Sequence, residues 1–315
     1  MYLLFLLSIP VCLGYKYSFT TDFLVEEAEI MEAVSVYVPT SKYGTGNLCD
    51  KTNAGRCLCN HFSGYRKALG DGFNIITYNS SDHEILYVVF TYDKNPSRLL
   101  EEYMKPSPTK NNFYDATGVF KHQIDIMNKG RTFIDGILYK ICLSGEYKNA
   151  VFAGHSVAGG VAALLAYECV HKGYCKRDQT KVYTFGSPRT GNCHFAKKYD
   201  EKVPYTYRVV VRGDPLTGLP QRHCIPGYGK CDDCTEDKVD FHHHFGQEIY
   251  YQKNITGKPR YCKKFTEDRK CNVNRIPSPL RRKQVEDAYA RNFHLKYYRN
   301  TFEDSFIQNA RCPYM

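Results

Sequence analysis

The chain has 315 residues, of which 43% are hydrophobic and 24% charged, and its formal net charge is +10. The lysines and arginines are scattered along the chain, as are its 27 tyrosines, so the excess charge describes solvated faces. That distribution excludes a basic nucleic-acid stripe, and no nucleic-acid partner is expected.

The first stretch, MYLLFLLSIPVCLG, is apolar, uncharged and ends on small residues, so residues 1–14 are expected to be a secretory signal. About 13 apolar residues fall short of the roughly 20 that cross a bilayer, and no other stretch approaches that length; no transmembrane segment is expected. Neither an internal repeat nor a Pro/Gly-rich linker marks a boundary in residues 15–315, which are expected to form a single domain and a monomer. Fourteen cysteines suit a disulfide-bearing secreted protein, and removal of Cys12 with the signal leaves an odd number. Asn79-Ser80-Ser81 and Asn254-Ile255-Thr256 fit the glycosylation acceptor pattern, a short motif that agrees with secretion.

In chain order, EILYVVFTY (84–92) predicts a buried strand. Apolar residues at spacings of three and four from Gly118 to Cys142 predict one helix face. NAVFAG (149–154) predicts a short strand and 156–170 a helix. KVYTFGSP (181–188) and YTYRVVVRGDP (205–215) predict further strands, GQEIYY (246–251) an edge strand, and RKQVEDAYARNFHLKYY (282–298) a late helix. Strands alternating with helices imply an α/β fold with a mostly parallel central sheet covered by helices on both faces. In such sheets functional sites lie at the carboxyl ends of strands.

Ser156 lies at such an end, in GHSVAGG between a predicted strand and a predicted helix. A G-x-S-x-G turn lets strand and helix approach closely and lifts the serine hydroxyl out of the sheet. The alternative for a serine opening a helix is an N-cap. Asp214 closes RVVVRGDP, where it would orient an imidazole; the alternative is a turn aspartate before Pro215. His223, His242, His243, His244 and His294 all follow Asp214 as candidate bases, and spacing alone does not choose among them. The cluster at 242–244, with Cys224, Cys231 and Cys234, also admits a zinc site. In an oxidising compartment such cysteines form disulfides instead, and a histidine cluster leading into an edge strand is expected to be exposed.

From about Cys49 to Cys312 these stretches together resemble the class 3 lipases, the filamentous-fungal triacylglycerol lipase family of α/β-hydrolases. VFAGHSVAGGVAALLA is similar to the family's GHSLGGALAALLA turn without a gap. YTFGSPRTGN matches a longer pattern, Y-T-F-G-x-P-R-x-G-N, and YRVVVRGDPLTGLP resembles the strand that delivers the acid. HHFGQEIYY matches a stretch that is not catalytic in the family, whereas FHLKYY matches the late D-H-L-x-Y segment that supplies the base. The resemblance thus implies a Ser156, Asp214 and His294 triad, with no cofactor and no metal, acting on lipid esters at a lipid–water interface. It implies backbone N–H donors to the oxyanion from Val157 and Asp93. It also implies a lid over the serine in PSRLLEEYMK (96–105), with Leu99, Leu100, Tyr103 and Met104 on one face; an ordinary packed helix is the alternative.

For the cysteines, the resemblance implies bridges Cys49–Cys312, Cys262–Cys271 and Cys57–Cys59, the last spaced one residue closer than in the family. Cys142, Cys169, Cys175, Cys193, Cys224, Cys231 and Cys234 have no counterpart and suggest further bridges around an insertion near 221–241. Two departures bear on activity. Ala158 replaces the second glycine of the turn, which is costly only where the backbone needs a positive φ. Asp93 replaces a Ser or Thr, and a carboxylate beside a developing oxyanion opposes its stabilisation. A lipase-like module that binds lipid or protein with little or no turnover is therefore a second expectation.

Overall fold

The computed structural model describes residues 19–25, 27, 28, 31, 32, 35, 62–70, 72–80, 84–92, 103, 111–142, 145–214, 216–220, 242–252, 258–265, 267, 268 and 271. An eight-stranded sheet runs in the order β1-β2-β3-β6-β7-β9-β11-β12. Its strands are β1 (Phe62–Gly70), β2 (Phe73–Ser80), β3 (Ile85–Tyr92), β6 (Asn149–His155), β7 (Thr180–Phe185), β9 (Thr206–Val211), β11 (Gln247–Tyr251) and β12 (Arg260–Tyr261). From β3 to β11 every pairing is parallel, and β1, β2 and β12 add antiparallel margins. A second, antiparallel sheet has the order β10-β8-β5-β4, built from β4 (Asn111–Phe113), β5 (Ala116–Val119), β8 (Gly191–Asn192) and β10 (His242–His243). Among the described residues four α-helices have defined bounds, α1 (Lys121–Lys129), α2 (Arg131–Cys142), α3 (Val157–His171) and α4 (Cys193–Lys202), beside short 3-10 turns at Arg177–Gln179 and Leu216–Gly218.

β3 and β6 are nearly continuous apolar runs because both of their faces are covered, whereas β7, β9 and β11 each carry one buried charge, Lys181, Arg208 and Glu248. Along β3, Leu86, Val88 and Phe90 enter one core and Ile85, Tyr87 and Val89 the other, as the two-residue period of a strand requires. The first core contains α3, which is buried from Val157 to Cys169. A helix that is apolar on all sides belongs in such a middle layer. The second core is closed by the N-terminal segment, helical at positions 25, 27, 28, 31, 32 and 35, which lays Phe23, Ala28 and Met31 against Tyr183, Tyr207 and Val209.

This N-terminal helix also brings two carboxylates into the interior. Glu27 pairs with the buried ammonium of Lys181 and accepts from Tyr183 Oη at 2.7 Å and Tyr87 Oη at 3.3 Å. Glu32 Oε1 lies 2.7 Å from Nδ1 of His155, the residue before Ser156.

Three sequence expectations are corrected. Residues 118–142 are not one helix: β5 ends at Val119, and α1 and α2 are separate helices on either side of Gly130. Gly118 has φ +87 and lies against the Asn192 side chain, where no Cβ fits. The apolar spacing continues across these breaks because all three pieces cover the same core. Residues 247–251 are not an edge strand, since β12 pairs outside them. The extra bridges are not confined to an insertion near 221–241: Cys169–Cys175 closes the carboxyl end of α3. Cys193 is also disulfide-bonded. The 282–298 helix and the 1–14 signal lie outside the described residues.

Removing one partner of a buried ion pair leaves the other charge uncompensated. Lys181→Met is therefore expected to destabilise the protein by about 3–5 kcal/mol in urea unfolding, and Lys181→Met with Glu27→Gln to recover part of that loss. Equal midpoints for wild type and Lys181→Met would contradict the docking of the N-terminal helix.

Candidate active site

Between the last residue of β6 and the first of α3, Ser156 has φ 59 and ψ −136. This backbone region is sparsely populated by residues with a side chain, and it persists only where the surroundings impose it. Here the imposition is steric. A Cβ on Gly154 would stand 2.5 Å from the Ala158 carbonyl oxygen, and one on Gly159 would stand 2.8 Å from the Gly154 carbonyl oxygen. Strand and helix thus cross backbone to backbone, and the chain reverses within one residue.

Ala158 does not share the strain. It lies inside α3 and is not among the positive-φ residues, so the methyl that replaces the second glycine of the G-x-S-x-G pattern sits on ordinary helical backbone. The cost weighed from sequence does not arise.

Ser156 occupies the N-cap position, yet its side chain makes no capping hydrogen bond. The N-cap alternative therefore does not describe this serine. Its hydroxyl oxygen is buried and has no hydrogen-bond partner among the described residues. Its backbone is held: Ser156 N–H donates to Phe185 O at 2.8 Å, and its carbonyl accepts from Gly159 N–H at 3.0 Å. Val157 is the first helical residue, so its N–H belongs to the end of α3 that has no intrahelical acceptor.

Asp214 is fully buried two residues beyond Arg212, after the carboxyl end of β9 and the turn at Gly213, which has φ 91. Its Oδ1 accepts from Leu216 N–H at 2.9 Å, and its carbonyl accepts from Thr217 Oγ1 at 2.9 Å. Only β7 separates β6 from β9, and Gly186 N–H joins the end of β7 to Val209 O at 3.0 Å. Two strand spacings put the loops carrying Ser156 and Asp214 roughly 10 Å apart at the same end of the sheet.

The other sequence candidates fall as follows. His294 and Asp93 lie outside the described residues, as do Leu99, Leu100, Met104, Asn254, Cys49, Cys57, Cys59 and Cys312. The backbone of Asn79 lies in β2. Tyr103 is buried in the core; its hydroxyl lies 2.8 Å from His122 Nε2 and accepts from Gln123 Nε2. Cys262 and Cys271 form a disulfide.

The histidine cluster is the main surprise. His243 and His244 are 4% and 2% exposed, contrary to the expectation of an exposed cluster. His243 Nδ1 donates to His244 O at 2.6 Å, and His244 Nε2 donates to Thr217 O at 2.8 Å. Burial, reinforced by Arg208 and Arg189, keeps the His244 imidazole neutral by holding its pKa well below the ordinary value. Cys224, Cys231 and Cys234, the other members of the zinc alternative, lie outside the described residues.

Arg189 and Glu267 were not singled out from the sequence. Arg189 Nε and Nη2 donate to the two Glu267 oxygens at 2.8 and 2.7 Å, with both side chains 3% exposed. Burial raises the Glu267 pKa, but the charge and hydrogen bonds of Arg189 outweigh it and hold the carboxyl well below its usual range. The available signals were the arginine inside YTFGSPRTGN and the glutamate enclosed by CKKFTEDRKC.

Gly154→Ala forces backbone apart at the crossing, so it is expected to cost about 1–3 kcal/mol or more in chemical unfolding. Ala158→Gly relieves no strain and is expected to cost about 0.5–1 kcal/mol, as glycine does inside a helix. An Ala158→Gly variant more stable than wild type would contradict this account of the turn.

A family model described as Lipase (class 3) matches residues 90–223. Lipase ZK262.3 of Caenorhabditis elegans is 32% identical over 179 residues, which are 54% of this chain and 49% of that protein. The chain therefore spans about half the length of that relative. Secreted mono- and diacylglycerol lipase 1 of Fusarium solani is 36% identical over 85 residues, 25% of this chain and 24% of that one. The structure of a Rhizomucor miehei triacylglyceride lipase superposes with a TM-score of 0.63 over 84% of this chain and 92% of its own, at 17% identity. An identity this low speaks for the fold alone. Residues 90–223 are thus similar to the class 3 lipases, and the chain has the α/β-hydrolase fold of the Rhizomucor structure.

Proposed function

We propose that the protein is a secreted serine hydrolase of acylglycerols or related lipid esters. The observation that carries this reading is the hydroxyl of Ser156, held on a strained strand-to-helix turn and engaged neither as a cap nor by any other described residue. A serine that served only the helix would cap it. In the proposed reaction His294 takes the hydroxyl proton as the oxygen attacks the ester carbonyl. Asp214 fixes the imidazole tautomer and stabilises its charged form. The N–H groups of Val157 and Asp93 receive the developing oxyanion. Collapse of the tetrahedral adduct, with His294 returning the proton to the leaving oxygen, releases the alcohol and leaves an acyl-enzyme; water, deprotonated by the now neutral histidine, then resolves it to the free acid.

The leader-like residues 1–14 and the disulfides support secretion, and the Asn79 and Asn254 sequons fit it. No helix among the described residues is long and apolar enough to cross a membrane. Residues 15–315 are proposed to act as one domain and as a monomer. The matched relatives include an acylglycerol lipase and Phospholipase A1 EG1 of rice, which is 37% identical over 76 residues, 24% of this chain and 18% of that protein. The chemistry common to their names is an acyl ester of a glycerolipid. Under this reading residues 96–105 cover the site until a lipid surface is met.

A second reading, a lipid-binding module with little turnover, is favoured by Asp93, whose carboxylate would oppose the oxyanion. The two separate in one assay series. Purified protein is expected to hydrolyse p-nitrophenyl butyrate and a diacylglycerol emulsion. Ser156→Ala is expected to lower kcat on the order of 10⁴-fold or more, and Asp93→Ser to raise it. Turnover unaffected by Ser156→Ala would refute the nucleophile, whereas lipid binding without turnover, restored in Asp93→Ser, would establish the second reading.

A further inference from the structure

The loop after Asp214 is held by a set of contacts that neither helix nor strand supplies. Four consecutive carbonyls are each held by Arg189 or His244. His244 Nε2 takes Thr217 O at 2.8 Å, Arg189 Nη1 takes Gly218 O at 2.7 Å and Pro220 O at 2.6 Å, and Arg189 N–H takes Leu219 O at 2.7 Å. The two holders are themselves joined through one carboxylate: Glu267 receives the Arg189 fork and, at Oε1, the His244 N–H at 2.8 Å. Glu267 lies inside the loop closed by Cys262–Cys271. From the carbonyls the path to Asp214 is short, since Thr217 Oγ1 donates to the Asp214 carbonyl and Leu216 N–H to its Oδ1.

We infer that Arg189, anchored by Glu267 and joined by His244, is a positioning residue that sets the Asp214 carboxylate. The inference rests on the triad reading above and adds to it a buried group that touches no reacting atom. The guanidinium is the suitable cation because its planar fork serves a carboxylate on one edge and carbonyls on the other at once. An ammonium offers no such fixed geometry. A loop freed from these contacts moves its carboxylate, and displacement by about 1 Å from productive geometry costs on the order of 100-fold in rate.

The test uses the full-length chain and a water-soluble ester. Arg189→Met and Glu267→Gln are expected to lower kcat by roughly 10- to 100-fold with KM little changed, measured well below their melting temperatures. Arg189→Lys, which keeps the charge and loses the fork, is expected to fall between Arg189→Met and wild type. The acid limb of kcat/KM is expected to move to lower pH in the impaired variants, because an imidazole deprived of its neighbouring carboxylate loses its proton more readily. A merely structural role would lower the melting temperature and leave that limb in place. Glu267→Gln keeps the shape of the anchor and carries the test where Arg189→Met fails to fold. Folded variants with wild-type kcat and an unmoved acid limb would overturn the positioning role alone, given wild-type turnover that depends on Ser156. Absence of such turnover would overturn the triad reading, and this inference with it.

Discussion

The crossing of β6 and α3 is the constraint from which the site follows. With no Cβ at Gly154 or Gly159, strand and helix meet at backbone contact distance, and the residue between them must take a positive φ. Such a conformation costs on the order of 1–3 kcal/mol. It persists because α3 is embedded in the core: Val161, Leu164 and Leu165 are fully buried, at about 1.5–3 kcal/mol each. Relaxing the turn would withdraw that helix from the sheet, so packing outweighs strain.

Buried charge, as well as apolar contact, fixes the two regions flanking this crossing. On one face of the sheet Glu27 and Glu32 reach Lys181 and His155 from the N-terminal helix. Beyond the carboxyl ends of the strands, Arg189, Glu267 and His244 secure the loop that follows Asp214. Next to them, Arg208 and Glu248 are partners in the β9–β11 register, their side chains 3.3 Å apart. Buried pairs of this kind add little net stability against an apolar replacement, since desolvation offsets attraction. What they contribute is geometry: each group accepts few arrangements, and those of Arg189 and His244 hold the loop that follows Asp214.

The parallel part of the sheet was legible in the sequence because strands covered on both faces read as apolar runs, most plainly in β3 and β6 and in the Val209–Val211 end of β9. The positions of Ser156 and Asp214, just beyond the carboxyl ends of β6 and β9, were legible for the same reason, and their catalytic roles are proposals. The division of 118–142 was hidden because helical spacing reports a shared apolar face and not backbone continuity. Burial of His243 and His244 depends on Thr217 and Glu267, which lie 27 and 23 residues from His244. Nothing local announces such partners. Glu27 and Glu32 likewise read as solvated charges until the sheet residues that receive them are known. His294 was reached by resemblance and not by spacing, and so remains a proposal.

The central claim is that this turn presents Ser156 as an activated nucleophile, and a covalent probe tests it most directly. Native protein treated with a fluorophosphonate, digested and mapped by mass spectrometry, is predicted to carry one phosphonyl adduct, on Ser156, and to lose it when the protein is unfolded before treatment. A native protein that takes no adduct, or takes it on another residue, would contradict the account.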